Sequence, residues 1–383
     1  MTDLSVLAMM ALPPPMTGQA AAAAMLKRAL VRHGVEHAIV DFSRELAPAS
    51  RVGHLANRLL TCGALPLQAL WSARTLSRVG VFYLQLGQGP RSLARDLPVL
   101  ELAQLRGWPV VLHLHGGGLP RALADSPRLL RDRVVAAVRR ASATIALSPI
   151  LAAGIEASTG ARNIRIVENG VGQRVEEAAR RTVKTAPADR PLRVLFLSNL
   201  MESKGYRLVL ECAKVAKRRG LPLEFVLAGA PTDMMTVDPA AFIAREGLRN
   251  ARYVGPVDED EKIRLLTEAD AFLLPSRYAT EGQPIAILEA LHFGVPVITT
   301  RAGGIGDIVE EGKTGFFVSA AHVEETLSRL AFLQADPAAW TRVSATCRDA
   351  AAAYTEERHG DRMVELLREA AGTGRGRAVD RTA

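Results

Sequence analysis

Residues 269–317 read ADAFLLPSRYATEGQPIAILEALHFGVPVITTRAGGIGDIVEEGKTGFF. The apolar run Ala271–Leu274 is short and uninterrupted, as a strand buried on both faces is. It stops at Pro275-Ser276, and a loop leads to Glu281-Gly282-Gln283-Pro284. Pro284 suits the first turn of a helix, where its missing N–H costs nothing, and Gly294 suits a helix end. The pattern predicts a helix over Pro284–Phe293, then strands at Pro296–Thr299 and Gly315–Val318. Strand and helix alternating in this way build a parallel sheet. Free amides at such a helix start face the C-terminal edge of the sheet, where a diphosphate can sit.

Working outward, the same alternation fills the chain. Upstream in the same half, strands are expected at Arg193–Leu197, Glu224–Ala228 and Arg252–Val254, with helices at Lys204–Arg219 and Glu259–Glu268. The first half repeats the scheme, with strands at Val6–Ala11, Ala38–Phe42, Val81–Leu86, Val110–Leu114, Thr144–Leu147 and Ile164–Val167. Helical patterns there include Ala20–Arg32 and Leu129–Arg140. The span Gln173–Arg190 is charged and poor in apolar residues, which reads as a linker. The expected division is a domain over 1–172, a linker over 173–190 and a second domain over 191–355. A helix over 356–370 returning to the N-terminal domain and a disordered, Gly- and Arg-rich tail over 371–383 complete it. Two doubly wound α/β domains in succession place a ligand in the cleft between them.

The composition sets limits. A chain of 383 residues suits two domains, and 48% hydrophobic with 23% charged residues is a globular balance. No run approaches the ~20 apolar residues that span a bilayer. Met1–Leu12 lacks a basic start and reads as a first core strand, not a signal peptide. Cys62, Cys212 and Cys347 are few and far apart, which fits a reducing cytoplasm, at the inner face of the membrane if lipid is engaged. Residues 1–190 hold 24 Lys and Arg against 13 Asp and Glu, a net +11, while the remainder holds 24 against 27. A solvated basic surface accounts for this, as does attraction to anionic lipid or a phosphate-bearing acceptor. Aromatic residues make up 5% and do not interleave with the basic ones, so nucleic acid is not an expected partner.

Glu289 lies over one turn into a helix otherwise rich in Ile, Leu and Ala, and an acid there wants polar partners. Glu281 precedes the helix, so two carboxylates bracket its start and can grip two hydroxyl-bearing parts of one ligand. Spacing alone also admits a helix-capping acid and a solvated glutamate. The second motif, Ser198-Asn199-Leu200-Met201-Glu202-Ser203-Lys204-Gly205, follows the first strand of its domain. Lys204 at a helix start is placed where the dipole disfavours a cation, and a bound anion would account for it; a surface lysine at a frayed end is the plainer account.

Two glutamates eight apart, in EGQPIAILEA, resemble the signature of the family 4 retaining glycosyltransferases, the glycosyl transferases group 1. The flanking ADAFLLPS, GVPVITTRAGGIGDIV and EGKTGFFV agree over some fifty residues. The resemblance implies the GT-B fold, two Rossmann-like doubly wound parallel-sheet domains facing across a cleft. It implies transfer of a sugar from a UDP- or GDP-sugar to a hydroxyl of a glycan, glycolipid or small-molecule acceptor, as in polysaccharide assembly. By the same resemblance Glu289 binds the donor ribose and Glu281 the transferred sugar. Gly282, Gln283, Pro284 and Ile285 line the sugar and diphosphate, and Lys204 holds the diphosphate. The family's Gly-Arg pair, five residues before that lysine, is here Ser198-Asn199, so Asn199 offers hydrogen bonds without charge. Arg277 is a candidate substitute.

In the first half, Gly18 lies in the turn Leu12–Gln19 after the first strand. A glycine there lets backbone approach a phosphate or sugar, and the family has a Gly-containing loop at this place. His113 and His115 share one strand face before Gly116-Gly117-Gly118, without a third ligand at zinc spacing. By resemblance His115 is the histidine near the transferred sugar. Gly229 and Gly255 match glycines near the nucleotide, and Asn169-Gly170-Val171 a motif before the linker. No Asp-x-Asp pair is read at a strand end, so neither a metal nor another cofactor is expected to be essential. An epimerase on the same scaffold and a non-catalytic, glycosyltransferase-like subunit remain as alternatives. Val52–Leu76, with Trp71 among arginines, reads either as helix packed on the sheet or as a segment docking on an anionic membrane.

Overall fold

A computed structural model of the chain describes residues 4–14, 17–43 and 54–378, with side chains left out at 54–63 and 373–378. Pro15, Met16, Arg51, Val52 and the last five positions of the expected tail lie outside the described residues. So do the side chains of Arg58 and Cys62. The chain divides into two compact units, Met1–Gly170 with Glu356–Ala383, and Val171–Thr355.

The first unit is built on six strands: β1 (Ser5–Met10), β2 (Glu36–Asp41), β3 (Val81–Gln85), β4 (Val110–His113), β5 (Ala143–Ala146) and β6 (Ile164–Ile166). They pair in the order β2-β1-β3-β4-β5-β6, all parallel. Both faces are covered, which is why β1 is apolar without a break from Val6 to Met10 instead of alternating. Leu7 and Met9 join Leu93, Leu97 and Leu100 on one side. Val6, Ala8 and Met10 meet Leu26 and Leu30 on the other, together with Met363, Val364 and Leu367 from the far end of the chain.

Those last residues belong to the helix Glu356–Ala378. It lies on the helix Gly18–Arg32, where Gly360 permits close approach: a Cβ there would stand 2.7 Å from the Ala29 Cβ. Arg28 grips Glu356 through two bonds, 2.5 and 3.0 Å long. The helix continues unbroken through residues 371–378, where the Gly- and Arg-rich composition had implied a disordered tail.

The second unit holds β7 (Leu192–Leu197), β8 (Leu223–Ala228), β9 (Ala251–Tyr253), β10 (Ala271–Leu274), β11 (Val297–Thr299) and β12 (Gly315–Phe317). Their order is β12-β11-β10-β7-β8-β9, again all parallel. The chain winds outward from β7 to β9, then restarts at β10 on the other side of β7. In such sheets the carboxyl ends of the two strands at the reversal, here β7 and β10, flank the crevice where ligands bind. All twelve strands expected from the sequence are formed.

Two local expectations differ. The span taken as linker carries the helix Gln173–Arg181, and its Val175 and Ala179 are buried in the second unit's core. Lys184, beyond it, donates to the Leu266 and Thr267 carbonyls at 2.8 and 2.6 Å and so caps the helix Glu259–Glu268. Lys204 is not in the helix after β7. It ends a 3₁₀ turn, Glu202–Lys204, and the helix starts at Tyr206.

Candidate functional site

In the second unit, close backbone packing sets the floor of the site. Ser198 continues the β7 ladder by donating to the Ala228 carbonyl at 3.1 Å. Gly229 follows β8 with φ 147°, and a Cβ there would fall 1.8 Å from the Ser198 carbonyl oxygen. Only glycine fits. Gly205 (φ 83°) plays the same part on the other side, since its Cβ would lie 2.5 Å from the Pro275 carbonyl oxygen. This approach sets the turn bearing Lys204 against the segment leaving β10, where the Arg277 amide donates to the Ser203 carbonyl at 2.7 Å.

Lys204 Nζ thereby lies 2.7 and 2.8 Å from the two carboxylate oxygens of Glu281. Ser276 donates its hydroxyl to the same carboxylate at 2.6 Å, and the Tyr278 ring lies 5.1 Å from Nζ. Glu281 is 4% exposed, so a paired cation is what makes its burial tolerable. Gly303, φ 51°, would place a Cβ 2.0 Å from the Glu281 carbonyl oxygen, and the Gly304 amide donates to the Gly282 carbonyl at 3.1 Å. The loop is thus pinned from both sides. Gly282 and Gln283 are buried within it, while Pro284 and Ile285 are partly exposed. Pro284 is the N-cap of the helix Ile285–His292, which begins one position after the expected start.

Glu289 sits in that helix among buried Ile287, Leu288, Ala290 and Leu291. Its partner is Lys262, 2.5 Å away in the helix Glu259–Glu268. Burial pushes the Glu289 carboxyl above its ordinary range, the Lys262 ammonium opposes that shift, and Glu259 adds to it. Both carboxylates marked in the sequence are therefore neutralised by lysines. One of those, Lys262, was not marked. Asn199 is exposed and carries no charge into the site. Arg277 reaches the turn that bears Lys204, but its guanidinium is paired there with Glu202 at 3.2 Å.

Gly18 and His115 belong to the first unit. Gly18 opens the helix Gly18–Arg32, whose N-cap Thr17 accepts from the Ala20 amide at 3.1 Å; a Cβ on Gly18 would meet nothing within 4 Å. Near this turn β3 ends at Gln85. The Ala11 amide donates to Gln85 Oε1 at 2.9 Å, which fixes the orientation of the side-chain amide. Gln85 Nε2 then donates to His115 Nε2 at 3.1 Å, leaving the imidazole proton on Nδ1. The His113 and His115 rings lie 3.9 Å apart, centroid to centroid, and the Tyr83 hydroxyl is 2.7 Å from His113 Nδ1. Burial holds His113 well below the ordinary range and His115 down at about 3. His359, from the C-terminal helix, is buried, is likewise lowered, and donates its Nδ1–H to the Glu168 carbonyl at 2.7 Å. His115 is thus neutral at neutral pH, a hydrogen-bonding group and not an acid. Sequence reasoning marked neither Gln85 nor His359.

Residues 179–350 match the family described as glycosyl transferases group 1. That stretch lies within the second unit, which is thus similar to the family. Among curated relatives, a glycogen synthase from Mycobacterium tuberculosis is 28% identical over 258 residues, 66% of this chain and 60% of the synthase. An alpha-D-kanosaminyltransferase from Streptomyces kanamyceticus is 26% identical over 70% of this chain and 72% of its own. The match thus spans about three fifths of the glycogen synthase. Among solved structures, a sucrose-phosphate synthase from Thermosynechococcus elongatus aligns over 96% of this chain and 98% of that one, with a TM-score of 0.72 at 17% identity. HepE from Anabaena, solved with UDP and glucose, aligns over 96% and 100% with a TM-score of 0.68 at 16% identity. These likenesses show the GT-B-type fold of two parallel-sheet units.

Proposed function

We propose that the protein is a retaining glycosyltransferase that moves a hexose from a nucleoside-diphosphate donor to an acceptor hydroxyl. The observation that carries this is the placement of Lys204 and Glu281 in the segments that follow β7 and β10, the reversal of the second sheet, with Glu289 in the helix Ile285–His292 after Glu281. Phosphate charge suits the Lys204 ammonium, which uses two N–H groups on Glu281 and retains a third. Hydroxyls suit the two carboxylates. The likeness of residues 179–350 to the group 1 glycosyl transferases and HepE's complex with UDP support the choice of a nucleotide.

In the proposed reaction the acceptor oxygen bonds to the anomeric carbon on the face the nucleotide leaves. The bond from that carbon to the phosphate oxygen breaks, and the departing phosphate takes the hydroxyl proton. The protein's part is to hold the reactants and stabilise charge growing on the phosphate. Lys204 supplies that charge without a resident divalent ion, so EDTA leaves turnover unchanged. The acceptor is proposed as a glycan or lipid-linked glycan, in line with relatives such as the colanic acid glycosyltransferase of Escherichia coli.

Calorimetric titration of UDP and GDP into the protein, beside E289A, tests the reading. One nucleotide is expected to bind, at least about tenfold more weakly to E289A (about 1.4 kcal/mol). Binding of neither overturns the donor site and favours a non-catalytic member of the family, a reading that the uncharged Asn199 would then explain.

A further inference from the structure

Lys262 has no role in the reaction as proposed, and its position asks for one. It stands in the first turn of the helix Glu259–Glu268, whose N-cap Asp258 accepts from the Glu261 amide at 2.8 Å. That turn already holds Glu259, Asp260 and Glu261, the charges a helix start favours. A lysine there gains nothing from its own helix dipole. Its ammonium instead reaches across to Glu289, in a different helix 27 residues on, at 2.5 Å. Lys262 is 24% and Glu289 6% exposed at the side chain, so the pair is anchored inside and open at the lysine end.

We propose that Lys262 is a positioning residue of the donor site, fixing the Glu289 carboxylate as the acceptor for the vicinal diol of the nucleotide's ribose. This rests on the donor-site reading above. A diol presents two O–H donors, and a carboxylate with one orientation and full acceptor capacity is what receives them. A protonated carboxyl gives up part of that capacity. The groups that bear on the Glu289 carboxyl are Lys262, which favours the charged form, and burial and Glu259, which oppose it. β10 and β11, which pack against the Glu289 helix, contribute no ionisable side chain. Arg180 and Arg348, on the two helices packed beside it, bear on His292 at the opposite end. Remove Lys262 and nothing in this set keeps Glu289 ionised.

The test is calorimetric titration of whichever of UDP or GDP binds the wild type, from pH 7 to 9.5, with K262M, K262R, E289Q and K262M/E289Q. E289Q reports the nucleotide's own titration. K262M is expected to bind about tenfold more weakly at pH 7 and to recover as the pH rises and Glu289 ionises. K262R is expected to stay within about threefold of the wild type. The double variant is expected to be no weaker than E289Q. K262M binding as the wild type does, or a loss that is independent of pH and additive with E289Q, overturns the proposal. A wild type that binds no nucleotide overturns the donor-site reading itself. Circular dichroism guards against misfolding, and K262R carries the test if K262M does not fold, because a loss of binding in a folded K262R overturns the role.

Discussion

Lys204 and Glu281 face each other through both carboxylate oxygens, 2.7 and 2.8 Å from one ammonium, although 77 residues separate them. Two residues read separately in the sequence, one for phosphate and one for sugar, are a single unit in the fold. Removing the lysine leaves a buried carboxylate with the Ser276 hydroxyl as its remaining side-chain partner. K204M should therefore cost stability, on the order of 3 kcal/mol for breaking a buried pair. K204M/E281Q should regain most of it, since the uncompensated charge is gone. Thermal melts of the three proteins check this; equal melting of single and double variants would sink it.

Gly229 and Gly18 make a contrasting pair. The Gly229 position has no room for a Cβ, and Gly18 has open space. G229A should displace the Ser198-Asn199 turn and lower the melting temperature by several degrees. G18A should melt like the wild type, so any loss it shows in nucleotide titration reports a ligand near that backbone. A large drop in stability for G18A would contradict the geometry.

The first unit should weaken in mild acid. His113, His115 and His359 are held below their ordinary range by burial. Unfolded, they take up protons as the pH drops through about 6.5, and folded they do not. The stability they contribute is full above that value and is lost as the pH falls towards about 3, where His115 titrates in the fold. Each proton of difference is worth about 1.4 kcal/mol per pH unit. Melting followed from pH 7.5 to 4.5 should steepen below 6.5, and H359F should flatten the slope. An unchanged slope in H359F would remove that histidine from the account.

Trp71 and Leu67, four apart on the helix His54–Ala73, are 70% and 68% exposed, and Arg74 lies 5.8 Å from the Trp71 ring centroid. With the basic first half, this face should engage anionic lipid. Flotation with phosphatidylserine-containing vesicles is expected at low salt, weaker at 0.5 M salt, and reduced in L67A/W71A. No flotation at low salt would remove the membrane from the account. Among the described residues no helix is long and apolar enough to cross one.

Much of this was readable in advance, for a physical reason. Parallel strands buried on both faces must be apolar runs, so Ala271–Leu274 or Val81–Gln85 announces itself locally. Glu289 in an apolar helix likewise declares a need for partners. Which partner it has is a matter of packing, and nothing near Lys262 in the sequence points to Glu289. His359 was hidden in the same way, since nothing nearby in sequence tells that its helix covers β1. The span after Gly172 looked like a linker because six of the nine residues of its helix are polar or charged and only Val175, Ala178 and Ala179 meet a core.

The helix Glu356–Ala378 supplies Met363, Val364, Leu366, Leu367 and Ala370 to a core whose other buried members precede residue 168. On the ribosome that core is begun first and finished last. The whole of Val171–Thr355 is translated while the part of that face not covered by the helix Gly18–Arg32 waits for its last layer. The nascent chain thus carries a partly open sheet throughout the synthesis of its second unit, and a stop codon between Thr355 and Met363 would release a complete second unit with a first unit that lacks its closing layer.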